Sequence, residues 1–239
     1  MNKAMKTSAV IVTAIALNCL VLPGGAEQAQ PGSIAVDQQE VVKPDPTLVQ
    51  QLRELLNITP PLAVGGSRTG ASSSATSSVC LISPRPLNQA HGAVVANVIT
   101  AKPTILVAGS LNEIQLQRDR GVRTTWIQQA SSTDAINGAI AWPLQPLEPG
   151  DVVKLKLRPR GNAGGQSVSI ELRARSLEDL QRTESLIKEL GGDIDQWQAA
   201  IIEQQKSNPA LALALATAPE APIEIRNALI GLACGEVKQ

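Results

Sequence analysis

The chain has 239 residues, 43% of them hydrophobic and 18% charged, enough apolar content to build a buried core in one or two modest domains. Lysine plus arginine equals aspartate plus glutamate at 21 each, so no global field draws the chain toward nucleic acid or an anionic surface. Phenylalanine and tyrosine are absent and the tryptophans are Trp126, Trp142 and Trp197, which argues against stacking platforms for bases or sugars.

The N-terminus, MNKAMKTSAVIVTAIALNCLVLPGGAEQA, places Lys3 and Lys6 before an apolar run from Ala9 to Leu22, then a Pro-Gly turn and the small residue Ala26. Charged, apolar and cleavage regions in this order predict a secretory signal peptide over residues 1–26 and a periplasmic or secreted mature chain. The apolar run is about fourteen residues, short of the roughly twenty that span a bilayer. A retained anchor helix is the alternative, and the chain meets a membrane only if that segment stays uncleaved. Cys19 follows Ala16-Leu17-Asn18 and lacks the small neighbour of a lipidated cysteine, so it is expected to leave with the signal. Export leaves Cys80 and Cys234 where disulfides persist. Two thiols either pair or both stay free. If paired, they close a loop of about 155 residues, for which the chain-entropy description gives at most roughly 5 kcal/mol.

Residues 27–44 are polar, punctuated by proline and without period, which reads as a disordered lead. In 45–57, Asp45 is placed as N-cap, Pro46 opens the first turn, and Leu48, Val49, Leu52, Leu55 and Leu56 share one face. Such a short amphipathic helix must dock on the domain or on a partner. A Gly/Ser linker is expected over 58–78. From Cys80 the period becomes two: AVVANVIT, TILVAG, NEIQLQRD, VRTTWIQQ and INGAIAW are short β-type runs with turn signals between them, the rhythm of an antiparallel β-sandwich over 79–175. DVVKLKLRP and QSVSIELRARS alternate most clearly, and RGNAGG between them predicts a hairpin. For both dry faces to point inward, paired positions must sum to an odd number. A sum of 325 sets Lys154 opposite Glu171 and Lys156 opposite Ser169. At Ser176 the period changes again. SLEDLQRTESLIKELGG, capped by Ser176 and stopped at Gly191-Gly192, is followed by DIDQWQAAIIEQQKS capped by Asp193 and by two helices that begin near Pro209 and Pro222. Four helices over 176–235 form a helical module ending near Cys234.

Candidate chemistry is sparse. GGSRTGAS, Gly65 to Ser72, resembles a phosphate loop only in its glycines, because no Lys-Ser/Thr pair follows to open a helix. His91 is the single histidine, which leaves no zinc-ligand spacing and no nucleophile-elbow pattern around it. Lys154, Lys156, Arg158, Arg173 and Arg175 share a strand face that reads as solvated surface rather than as a polyanion site. Trp197 is expected to knit its helix to the sheet. No catalytic residue, cofactor or metal is assigned.

A signal peptide, a short helix, LAVGGSRTG, a serine-rich gap, VCLISP, a β-rich middle with LQPLEPGD before a long strand, and a leucine-rich helical tail ending in a cysteine together resemble a family of exported bacterial proteins of unknown function, mainly cyanobacterial, with a GGSR-G segment and a VCL-x-SP start. The resemblance covers about residues 45–235. It implies an exported β-sandwich with a helical tail, the motif cysteine falling on Cys80 and the terminal one on Cys234. The expectation is therefore an α+β chain, mainly β with an α tail, closed by Cys80–Cys234. It would act as a non-catalytic binding or scaffolding module on a protein partner in the envelope, with Arg68, Trp126 and Trp197 as structural or interaction residues. The alternative is a hydrolase assembled from His91 with dispersed serines and carboxylates.

Overall fold

The fold, given by a computed structural model that describes residues 46–64, 79–88, 94–120, 122–160 and 167–233, begins with helix α1, Pro46–Ile58. Leu48, Leu52, Leu55 and Leu56 recur at helical spacing and are buried. The helix stops where Pro60 and Pro61 follow Thr59, whose N–H donates to Leu55 O at 2.8 Å. Strand β1, Leu62–Val64, follows at once and pairs antiparallel with β2, Val79–Ser83, so the stretch expected as linker over 58–78 in fact contributes a strand.

All five residues of β2 are buried. Its Cys80 and Ile82, with Leu106 and Ala108, face a core shared with the helices. Its Val79 and Leu81, with Ile105 and Val107, face a second core between the strands. A strand covered on both sides has no polar face to alternate with, which is why VCLI reads as a plain apolar run.

The long strand β5, Ile105–Arg120, organises the sheet. The sequence suggests two strands separated at Gly109. The structure instead keeps one strand, bent where Gly109 adopts φ +92° and where the pairing shifts between Val107 and Glu113. The first half of β5 lies between β2 and β7, Ile136–Ile140, and the second half between β6, Val122–Gln129, and β8, Val152–Pro159. Beyond β8 come β9, Val168–Ala174, then β4, Val94–Val98, and β3, Pro86–Asn88. The nine strands among the described residues are thus one curled sheet, in the order β1-β2-β5-β8-β9-β4-β3 with β6 and β7 along the other side of β5. Two expectations change. The strands are connected through β5 rather than divided between separate sheets, and β4 runs parallel to β9. Alternation reports which face of a strand is buried but carries no information about its direction. The β8–β9 register is the one the alternation demands, Lys154 opposite Glu171 and Lys156 opposite Ser169.

The C-terminal helices are α2, Leu177–Leu190, α3, Ile194–Ser207, α4, Pro209–Ala216, and α5, Ile223–Ala233. Their starts follow the sequence signals. Ser176 Oγ accepts from Asp179 N at 3.2 Å, Asp193 Oδ1 from Asp195 N at 2.9 Å and Asn208 Oδ1 from Leu211 N at 3.2 Å. These helices share a core with the sheet. Trp197, Ile201, Leu211, Leu215, Ile225 and Leu229 pack with the α1 leucines against β2 and β5 in one core. Trp197 is 0% exposed, and its indole N–H donates to Gly191 O at 3.0 Å, tying α3 to the end of α2. Leu177, an apolar residue in the first turn of α2, is 54% exposed, whereas Thr183 is buried.

One ion pair closes the far end of the sheet. Arg118 continues the inward parity of Ile114 and Leu116, so a guanidinium arrives where the pattern calls for an apolar side chain. It is 8% exposed and pairs with Asp151, 7% exposed, while also donating to Gln145 O and Pro146 O at 3.2 Å each. Asp151 in turn accepts from Glu148 N at 2.7 Å, shaping the PGD turn in which Gly150 adopts φ +81°. Buried charges persist only when paired and hydrogen-bonded, so removing one partner strands the other. Arg118→Met is expected to lower unfolding free energy by about 3–5 kcal/mol in urea titration. Trp197→Ala, which empties a fully enclosed site, should lose a similar amount, about 3–5 kcal/mol.

Candidate functional site

A cleft of about 580 Å³ opens where the helices meet one end of the sheet. Its floor is the segment 97–104 that leaves β4 and enters β5. One wall is α2, through Glu184, Ile187 and Lys188, and the other is α4, through Ala210, Leu213 and Ala214, with its C-cap Thr217. Both sets recur every three or four residues, so each helix turns one stripe into the cleft. Ser83-Pro84-Arg85, where the chain leaves β2, closes the end.

Apolar groups line the interior, and charged groups stand around them. Ile99, Ile187, Leu213 and Ala214 are partly or fully buried, whereas Lys102, Glu184, Lys188 and Glu220 are exposed. The Ser83 and Thr217 hydroxyls lie 3.2 Å apart, and Thr217 Oγ1 also donates to Leu213 O at 2.9 Å. Arg85 Nη2 donates to Ile58 O at 2.8 Å, linking the mouth to the end of α1, and burial lowers the Arg85 pKa from its ordinary value. Thr104, 5% exposed, keeps its hydroxyl buried without a partner among the described residues, as does Arg85 its Nε. Arg85 and Thr104 leave the β2–β5 pair at the same end, two residues beyond the Ser83–Leu106 pairing. A buried hydroxyl left unpaired costs about 1–3 kcal/mol, so this end of the cleft is polar ground not optimised for stability. A second concavity, between α1 and α3, is lined mainly by polar groups such as Gln50, Gln51, Glu54, Gln205 and Lys206.

The residues singled out from the sequence do not gather here. Cys80 and Trp197 belong to the helix-side core, while Trp142, 9% exposed, belongs to the strand-side core with half-buried Trp126 packed against it. Arg68, His91, Cys234 and the segment 1–45 lie outside the described residues. Three residues of the basic face are ion-paired: Arg158 with Glu113 at 2.9 Å, Arg173 with Glu171 at 2.9 Å and Arg175 with Asp179 at 3.4 Å. At the tip of the β5–β6 hairpin the Asp119 carboxyl is held below the usual carboxylate range, first by the Gln117 amide and then by the Arg123 guanidinium. Among the described residues no three His, Cys, Asp or Glu side chains are placed to share a metal ion, and no helix is long and apolar enough to cross a membrane. The cleft was legible in sequence only as SPRP and AKPT, two proline-bearing joints whose meeting needs the sheet. Comparison of the chain with family models, with curated proteins and with solved structures finds no match in any of the three.

Proposed function

We propose that this chain is an exported, non-catalytic binding or scaffolding module of the cell envelope, and that the cleft between the sheet end, α2 and α4 is where a protein partner docks. The observation that carries this reading is the cleft's construction, an apolar interior of about 580 Å³ rimmed by exposed charges of both signs. Concave apolar sites with a few convergent polar groups are where proteins most often hold ligands. Here the rim would orient a partner's apolar side chains by charge. The signal-like N-terminus and the resemblance to exported cyanobacterial proteins support the compartment. The finer architectural reading, a sandwich-like fold, is supported by both halves of the curled sheet sending side chains into the strand-side core.

The staple between Cys80 and Cys234 belongs to the same proposal. Cys80 lies in the core that also holds Ala233, the last described residue of α5 and the immediate neighbour of Cys234. Such a bond would tether the C-terminal helix to β2 across most of the mature chain.

A photo-crosslinking residue at Ala214 should capture a discrete envelope protein. The same residue at Gln196, on α3 outside the cleft, should not, and an added Ala210→Trp substitution should abolish the Ala214 product. Equal capture from both positions would sink the docking reading. Protein isolated from the envelope should show an intact mass starting near residue 27 and a non-reducing peptide map joining Cys80 to Cys234. Separate alkylated peptides would remove the staple.

A further inference from the structure

The edges of a sheet are unequal hazards, and this sheet protects all but one in recognisable ways. β1 and β3 are three residues each, and β3 starts on Pro86. β7 is five residues and contains Gly138 at φ +72°. β6 is eight residues, pairs only with β5 among the described residues, and has neither proline nor charge from Thr124 to Gln129. Arg123, Thr124, Thr125, Ile127, Gln128 and Gln129 are all exposed, Ile127 at 51%. This is an open template for another strand.

We propose that the strand added there is β6 of a second copy of this chain, pairing antiparallel about a two-fold axis at Trp126. A two-fold axis perpendicular to the sheet returns every residue to the same face, so paired positions must sum to an even number. With Trp126 opposite itself, Thr125 faces Ile127 and covers that exposed side chain with a β-branched neighbour. Arg123 faces Gln129.

Charge selects this register. In one copy Arg158, Glu113 and Gln129 stand in one cross-strand row, with Glu113 Oε2 accepting from Arg158 Nη2 at 2.9 Å and from Gln129 Nε2 at 3.0 Å. In the other copy Arg123 and Asp119 form a row, joined at 2.9 Å. The proposed pairing puts the two rows end to end, so signs run plus, minus, neutral, plus, minus across the interface. The Gln129 amide oxygen, on a group whose N–H is already engaged by Glu113, is left to accept from Arg123 of the second copy. A slip that sets Arg123 opposite Ile127 places it in the row of Gln115 and Lys156, cation toward cation. A slip the other way carries Arg123 past the end of β6. Antiparallel pairing also keeps the two Arg123 side chains at opposite ends of the interface.

The dimer extends the sheet without using the cleft, so this inference stands independently of the docking proposal. Sedimentation of the full mature chain should show a concentration-dependent dimer. Ile127→Lys, at an exposed position, should raise the dimer dissociation constant by on the order of tenfold or more with unchanged circular dichroism and melting. Thr125→Arg is the second variant should the first alter folding. Mixing Thr125→Cys protein with Ile127→Cys protein under mild oxidation should give a disulfide-linked heterodimer in several-fold excess over either protein alone. A chain that stays monomeric at its highest soluble concentration, a dimer indifferent to both edge substitutions, or crosslinks without preference for the mixed pair would each overturn the proposal.

Discussion

A strand of sixteen residues can serve two differently oriented halves of a sheet only if its backbone turns partway, and the bend of β5 at Gly109 is the constraint on which the rest of this structure depends. A side chain at φ +92° would be strained, and glycine removes that cost. Before the bend, β5 lies beside β2 with one face on the helices and the other on the strand-side core. After it, the strand faces that same core with its inward residues and water with its outward ones. Two cores therefore share one piece of backbone, and neither the helices nor the outer strands need an independent domain.

Both functional surfaces follow from that geometry. The cleft lies at the end of the β2–β5 pair because the chain must enter β5 from β4 across the sheet end, while α2 and α4 cover the helix-side core without reaching over the joint. The apolar interior is the continuation of that core, and the charges are the solvent-facing turns of the helices. At the other half of β5, β8 covers one side and β6 the other, which leaves β6 as a long outer strand. On the opposite side of β5, β8 carries the Lys154, Lys156 and Arg158 face, where Glu113 of β5 pairs with Arg158 and Glu171 of β9 stands opposite Lys154. The β6 edge itself carries Arg123 near its start and no charge from Thr124 to Gln129.

Where reading from sequence succeeded, the signal was local and redundant. Ser176 and Asp193 marked helix starts because capping involves only neighbours in the chain. The Lys154–Glu171 register followed because two adjacent alternating strands joined by a short turn have few ways to bury both dry faces. Where it failed, the information was non-local. Gly109 is a break by composition and a bend by context. Leu62–Val64 is too short to announce itself as a strand and becomes one only because β2 is beside it. Leu177 has the right period for the core but sits in the first turn of α2, where nothing covers it. Arg118 looks like any polar end of a strand until Asp151 and the PGD turn close over it.

By itself the sequence determined the balance of charge, the lack of aromatic platforms, the spans and caps of the helices, and which face of β8 and β9 turns inward, since each of these depends on residue identity and spacing within a few neighbours. Only the tertiary structure decided that the strands form one sheet, that β4 runs parallel to β9, that a cleft appears between SPRP, AKPT and two helices, and that β6 is left at an edge. Strand order and the meeting of distant joints are properties of which surfaces find each other, and no spacing along a chain encodes them directly.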